Sequence, residues 1–260
     1  MKNPNLTPIF EDHCGHVSIR SYGKAIQFGP NNTDLSGPLS VIESIAKEHG
    51  LKDVLWQRPP NDNHPNRRFT VARRNEIPTQ QGHVCTISNR LFDGVILTRP
   101  GQSVAMTSRD CPILMLSGEN FVAGIHCGRT ALQGFDMELL KDGSVIRNAF
   151  KFLFDRVGEP RNLRAVVTMG IAPEHFNNNR YPQVLAGIRN RWGPGIVSDD
   201  DHGRIDLLAF IRAQLSEVFN MMTSQVEWDG LDTFSDPRLV SHRAGDVETQ
   251  NLGIISYNYS

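Results

Sequence analysis

From position 84 onward the apolar residues fall into short runs separated by Asn, Asp, Gly and Pro. VCTIS (84–88), DGVILT (93–98), SVAMT (103–107), PILMLS (112–117) and FVAGIH (121–126) each have the length and punctuation of a strand. RAVVTMGI (164–171) and LGIISY (252–257) repeat the pattern later in the chain. Helical spacing appears three times. Val41, Ile42, Ile45 and Ala46 share one face, with Ser40 placed to cap the helix and Gly50 to stop it. Val145, Ile146, Ala149, Phe150, Leu153, Phe154 and Val157 form a second stripe, with Asp142 at its start and Gly158 at its end. Ile205, Leu208, Ile211, Leu215, Val218, Phe219 and Met222 form a third, preceded by Asp199, Asp200, Asp201 and His202, whose charge suits a helix N-terminus. Between residues 57 and 74, Pro59, Pro60 and Pro65 stand among Arg58, Arg67, Arg68, Arg73 and Arg74, which predicts an irregular surface segment.

Strands clustered before and between two long amphipathic helices predict an α/β fold of the layered, α+β kind, a mixed sheet packed by helices. No repeat, low-complexity tract or linker divides the chain. The expectation is one domain over 1–260, with an uneven part, 1–80, and a regular core, 81–257. The 27 Lys and Arg balance 28 Asp and Glu over 260 residues, so no global field draws a polyanion, and nucleic acid is not an expected partner. No apolar run approaches the roughly 20 residues that span a bilayer, and Met1–Asn5 continues into polar residues, so a cytoplasmic protein without membrane contact is expected. Trp56, Trp192 and Trp228 are too scattered for a base-stacking platform. The Walker A and GxGxxG patterns are absent.

The four cysteines, Cys14, Cys85, Cys111 and Cys127, include no CxxC pair, and a chain of this size needs no disulfide staples. Cys111 stands before one apolar strand and His126 ends the next. An antiparallel hairpin turning near Gly118–Asn120 would set Pro112 near Ile125 and bring thiol and imidazole to one end of the sheet. Such a pair makes either a nucleophilic thiolate or two metal ligands. His83, just before a strand, is a candidate third donor; two His and one Cys with an open fourth position form a catalytic zinc shell. Asp110 could orient a ligand or shuttle a proton, or pair with Arg109 or a backbone amide. His175 could line a pocket, while Cys127 should face the other side of its strand and be structural.

The order of these residues resembles the YfiH-like family, whose proteins carry the names multicopper polyphenol oxidase and laccase domain. Gln81 and His83 resemble its QxHG, Asp93-Gly94 its DA, and Thr107, Asp110, Cys111 and Pro112 its TxDCxP. Val122, Ala123, His126 and Gly128 resemble its VAxxHAGWRG; Met169–Pro173 resembles its GPAI; Ile205-Asp206-Leu207 with Gln214-Leu215 resembles its LDL and QL. Asp232–Ser235 and Ser241-His242-Arg243 are similar to its CT and FSYRR. The likeness covers 83–257. It implies one layered α/β fold shared with cytotoxic-necrotizing-factor-like cysteine hydrolases, and zinc on His83, Cys111 and His126. It implies purine nucleoside chemistry: phosphorolysis or hydrolysis of adenosine or inosine, or adenosine deamination. Gln81, Arg129 and Arg243 would bind substrate, with phosphate as a possible second substrate. Copper is not expected, because the nine histidines include no HxH pair of the kind copper clusters draw on.

Departures from the pattern accompany the matches. Val84 replaces a Gly, Arg129-Thr130-Ala131 replaces WRG, and Glu248-Thr249-Gln250 replaces the terminal TGR. They put phosphorolysis most in question. A metal-free Cys–His hydrolase or amidase, acting on an amide or a peptidoglycan precursor through Cys111 and His126, is the alternative enzyme. A diverged binding protein that keeps the fold without turnover is the alternative outside catalysis.

Overall fold

Strands that are apolar on both faces need cover on both sides, and the computed structural model supplies it with two sheets. The structure describes residues 7–27, 36–57, 71–73, 85–87, 92–134, 143–198, 203–246 and 248–259. One six-stranded sheet contains β1 (Phe10–Cys14), β2 (Val17–Gln27), β3 (Asp53–Gln57), β5 (Cys85–Ile87), β7 (Gln102–Ser108) and β12 (Thr249–Tyr257), in the order β1-β2-β12-β7-β3-β5. The other contains β4 (Val71–Arg73), β6 (Gly94–Leu97), β8 (Ile113–Gly118), β9 (Phe121–His126), β10 (Arg164–Thr168) and β11 (Val226–Trp228), in the order β11-β10-β8-β9-β6-β4. Both are mixed. In the first, β3 runs parallel to β7 and to β5; in the second, β10 pairs parallel with β11 and β6 with β4.

The sheets face each other. Leu55, Val104, Met106 and Ile255 of the first meet Val95, Leu97, Ile113, Met115 and Val122 of the second. Their sequence neighbours point outward. Val54, Trp56, Ala105 and Ile254 pack on Ile42, Ile45 and Ala46 of α1 (Ser36–Glu48). Ile96, Leu114, Leu116, Ala123 and Ile125 share a core with α2 (Arg129–Gln133), α3 (Val145–Arg156), α4 (Pro182–Trp192) and α5 (Leu207–Phe219). The result is a helix–sheet–sheet–helix sandwich. Each fully buried Leu, Ile or Val contributes roughly 1.5–3 kcal/mol, so the uninterrupted apolar runs are what a strand covered on both faces requires.

The expected single sheet is therefore two, because the run-type strands of both sheets look alike in sequence. The hairpin closes with Glu119 and Asn120 between β8 and β9, so Ile113 pairs with His126. Pro112 then lies opposite Cys127, whose amide donates to its carbonyl at 2.8 Å, instead of opposite Ile125. A shift of two keeps every side chain on its predicted face. Helix starts differ more. α1 begins at Ser36, which places Ser40 inside it. Ser144 caps α3, its hydroxyl accepting from the Arg147 amide at 3.2 Å, and Asp206 caps α5, accepting from Ala209 at 2.8 Å. Asp142 and the Asp199–His202 cluster lie outside the described residues, as does most of the proline-rich segment. Sequence reasoning missed β1, β2, β3, β11, α2 and α4, and also β4, whose residues Val71–Arg73 lie in the segment expected to be irregular and pair with β6. In β2 the polar residues Ser18, Arg20 and Ser21 are buried beside neighbouring strands, which hides the strand signal. Among the described residues no helix is long and apolar enough to cross a membrane.

Two glycines set the spacing of the sheets. A methyl group on Gly124 of β9 would lie 3.0 Å from Met106 Sδ and 3.1 Å from Val104 Cγ1 across the interface. One on Gly253 of β12 would lie 2.9 Å from Met115 Cε. Gly124→Val is expected to lower stability by about 1–3 kcal/mol through overpacking, read as a lower urea midpoint at unchanged slope. An unchanged midpoint would show that the interface has slack.

Candidate active site

The chain passes from the first sheet to the second through Arg109, Asp110, Cys111 and Pro112. All four carbonyls accept a hydrogen bond. Asn251 Nδ2 donates to Arg109 O (3.2 Å), the Ile171 amide to Asp110 O (3.0 Å), Ser108 Oγ to Cys111 O (2.6 Å) and the Cys127 amide to Pro112 O (2.8 Å). Asn251 is itself fully buried and also binds both the amide and the carbonyl of Val240. The crossing is thus fixed in conformation as well as in position.

This crossing sets Cys111 against His126, the last residue of β9. A methyl group on Gly128 would lie 3.0 Å from Cys111 Sγ and 3.1 Å from His126 Cε1, so the glycine's bare Cα is what lets sulfur and ring sit together. Gly128 has φ −64°, so space is its reason and not backbone strain. The other side of the ring is held by Asp93: Nδ1–H donates to Oδ1 at 3.2 Å, and the His126 amide donates to the Asp93 carbonyl at 2.6 Å. Asp93 is fully buried at the entrance to β6 and His126 is 8% exposed. Burial alone would lower the imidazole's pKa, but the adjoining Cys111 and the Asp93 carboxylate overcome it and push it up to about 10. With Nδ1 committed to Asp93, Nε2 is the nitrogen left for sulfur or substrate, and for an ion once it has given up its proton. Asp93 is 33 positions from His126, and its signal in the sequence, the likeness of Asp93-Gly94 to the family's DA, carries no hint of this pairing.

The remaining predicted residues divide into three groups. Asp110 is buried, and its carboxylate accepts from Thr233 Oγ1 (3.2 Å) and the Arg243 amide (3.0 Å), tying the 232–243 segment to the crossing. Arg129 and Arg243 come to the same end of the sheets. Arg129 lies over the Tyr181 ring, 4.4 Å from its centroid, and Arg243 over Phe176, at 5.1 Å. Gln81 and His83 lie outside the described residues. Cys85 is described, and it pairs with Val54, near the start of β3. The other end of β3 is level with Met106, toward the crossing, and there buried Gln57 donates to the Phe92 carbonyl at 3.1 Å, bracing the residue next to Asp93. Gln57 is a second residue that sequence reasoning missed.

His175 stacks on Phe234, with centroids 4.1 Å apart, and its Nε2 is 3.8 Å from Asp232 Oδ2. Cys127 is buried and its thiol is pushed up by burial, as a structural cysteine should be. All four cysteines are free. A cavity of about 380 Å³ lies at the opposite end of the β8–β9 hairpin, lined by Glu119, Phe121, Val157 and Arg161 among others. No Cys or His lines it among the described residues. No group of three or more His, Cys, Asp or Glu arranged to hold a metal is found among the described residues.

Behind the crossing, Met169 adopts a left-handed conformation (φ 52°) and donates its amide to the Asp229 carboxylate at 3.2 Å. The Leu231 amide binds the same carboxylate at 3.0 Å. Burial outweighs these hydrogen bonds and pushes Asp229 up to about 7.

The family model described as multi-copper polyphenol oxidoreductase laccase matches residues 45–256. Among solved structures, the hypothetical protein YfiH of Bacillus licheniformis aligns with TM-score 0.70 at 16% identity, over 93% of each chain. YlmD from Geobacillus stearothermophilus aligns at 0.69 with 13% identity, over 97% of this chain and 100% of the other. A Neisseria meningitidis protein assigned to family DUF152 aligns at 0.64 with 13% identity, over 95% and 96%. At such identities the likeness is one of fold. A search among curated proteins gives no match.

Two measurements check this geometry. Asp93→Asn removes the anion beside His126 Nδ1, so iodoacetamide should alkylate Cys111 in metal-free protein about tenfold more slowly at neutral pH. An unchanged rate would mean that Asp93 does not act through the ring. For Asp229, a folded pKa raised above the unfolded value gives stability that is fully present below pH about 4 and lost as pH rises through about 7. Asp229→Asn should therefore flatten the fall in Tm between pH 4 and 8 and raise Tm at pH 8; a parallel curve would refute it.

Proposed function

Because the chain belongs to the multi-copper polyphenol oxidoreductase laccase family, we propose that it is a zinc-dependent cytoplasmic enzyme acting on purine nucleosides by phosphorolysis, hydrolysis or deamination. The observation that carries the metal part is the meeting of Cys111 and His126 around Gly128, with Asp93 on the far nitrogen of the ring. A carboxylate–imidazole pair with its second nitrogen turned toward a thiolate is the usual outer support of a zinc ligand. Cys111 and His126 would hold the ion, with His83 as third donor by resemblance. Bound there, zinc would supply Lewis acidity and a water of pKa about 7. The set of one thiolate with imidazoles suits zinc better than the several coppers of the family's description, which draw on many paired histidines. The substrate class comes from the likeness of the motifs to the YfiH-like pattern.

The chain's own side chains have separable parts. Asp93 fixes the orientation of His126 and stabilises its charged form. Asp110, with both oxygens engaged, positions the segment carrying Thr233 and Arg243. Arg129 and Arg243 present guanidinium groups for ribose or phosphate oxygens, and Gln81 is a further substrate contact by resemblance. A second reading has one observation in its favour. Cys111, His126 and Asp93 also have the order of a nucleophile, its base and the carboxylate that orients the base, and would serve a metal-free hydrolase or amidase.

Elemental analysis of the purified chain separates the two readings. The zinc reading expects near-stoichiometric zinc that is lost in Cys111→Ala. It also expects turnover in a purine nucleoside panel, where base release that needs phosphate marks phosphorolysis and ammonia marks deamination. Zinc retained in His83→Ala would assign the third donor to another residue. Metal-free protein with a rapidly alkylated Cys111 and no nucleoside turnover would favour the hydrolase.

A further inference from the structure

Asn251 sits where β12 and β2 lose their regular pairing. Gln250 pairs with Ile26 and Leu252 with Tyr22, so Asn251 alone faces Gly23, Lys24 and Ala25 of β2. Lys24 takes a left-handed conformation there (φ 49°), within the bulge. The bulge opens a place for another segment: a methyl group on Gly23 would run into the Arg238 carbonyl and meet Leu239 Cδ2 at 3.3 Å. Residues 238–243 lie as a strap against it, with Leu239, Val240 and Ser241 buried.

The Asn251 side chain joins that strap to the strand crossing. It is fully buried, and its amide has two N–H donors and two acceptor lone pairs. All four are used. Oδ1 accepts from the Val240 amide at 3.0 Å and from the Lys24 amide at 3.4 Å; Nδ2 donates to the Val240 carbonyl at 2.9 Å and to the Arg109 carbonyl at 3.2 Å. Toward Val240 the side chain acts as one more rung of backbone pairing, and its remaining hydrogen reaches the residue two before Cys111. These partners are all main-chain atoms, so the bonds fix the course of the backbone. An aspartate has the same shape without the donors, and a serine has only one. The strap returns to the crossing twice more: the Arg243 amide binds Asp110, and His242 Nδ1 lies 3.3 Å from Arg109 Nη1.

We infer that Asn251 is a positioning residue: through the donor half of its amide it sets the register of strap 238–243 against the crossing, and with it the place of Cys111 beside His126. The role rests on Cys111 as the reacting or ligating group, which the zinc and the hydrolase readings share, and on the substrate of neither.

Alkylation of Cys111 by iodoacetamide in metal-free protein, followed by peptide mass spectrometry, tests it, with Tm and circular dichroism reporting the fold of each variant. Asn251→Asp keeps the shape and both acceptors. Its buried carboxyl, facing two carbonyls, titrates above the usual carboxylate range, and its protonated form still donates to one of them. The rate relative to the parent protein should therefore be near one at pH 6 and fall about fivefold by pH 8. Asn251→Ala, which donates at no pH, should show the opposite trend: its ratio is lowest at pH 6, where a thiol is ionised only with help from the His126 ring. Ser103→Ala removes a buried hydrogen bond of 2.9 Å to Ser256 Oγ between the same two strands, β7 and β12, at their far end. It should lower Tm and leave the ratio at one. Ratios independent of pH in both folded Asn251 variants, or an equal loss in Ser103→Ala, overturn the role. So does failure of both Asn251 variants to fold beside a folded Ser103→Ala, which would make Asn251 a requirement of the fold instead. Zinc content is read on the same proteins as purified: opposite trends in a chain that never holds zinc keep the positioning role and remove the metal reading.

Discussion

The strand-to-strand crossing at Arg109–Pro112 is the constraint on which the rest of the site depends. Ser108 ends a strand in one sheet and Ile113 begins a strand in the other, so five Cα steps must bridge stacked sheets. A chain spans at most about 3.6 Å per step, roughly 18 Å in all, against sheet separations near 10 Å. The reach is less than twice the gap, so the segment crosses without room for a loop of its own. Gly124 and Gly253 remove side chains that would hold the sheets farther apart. A shorter connection is also a stiffer one, because its four carbonyls leave the ladder of one sheet and cannot all join the other. Asn251, Ile171, Ser108 and Cys127 take them, and in doing so they choose which way Cys111 points.

Strand interiors of this sandwich are mostly apolar on both faces, and a polar group that needs partners from several segments finds them at strand ends. That explains why chemistry from distant parts of the sequence gathers at the crossing. Asp93 enters from the start of β6, His126 from the end of β9 and Thr233 from the loop after β11. Each arrives already hydrogen-bonded, as buried polar groups must be. Asp110 is the join: removing its carboxylate would take the partner from the buried Thr233 hydroxyl and leave the Arg243 amide only its bond to Ser241 Oγ.

The part of this that could be read in the sequence is the part carried by local period. The β8–β9 hairpin was legible because two apolar runs with a polar turn between them permit only small errors of register, and an error of two residues returns the same faces to the core. Cys111 and His126 therefore met as their spacing predicted. The pairing of the two sheets was not legible, since a buried strand looks the same whichever sheet it joins. Nor was Asp93, whose role depends on β6 lying beside β9 in space. Helix starts were misread where an acidic residue offered itself as a cap and a nearer one, Ser144 or Asp206, held the position.

Net charge illustrates the same division between what sums and what is placed. A formal charge of −1 over 260 residues supplies no global attraction for polyanions. It says nothing about a cleft end where carboxylates are spent on backbone amides, a hydroxyl and an imidazole. There the arginines keep rings as neighbours instead of acids. An acid committed to an amide inside the protein still carries its charge, but it cannot also turn to pair with a guanidinium edge. Which charges meet is thus decided by hydrogen-bond geometry, which a sum over the chain does not contain.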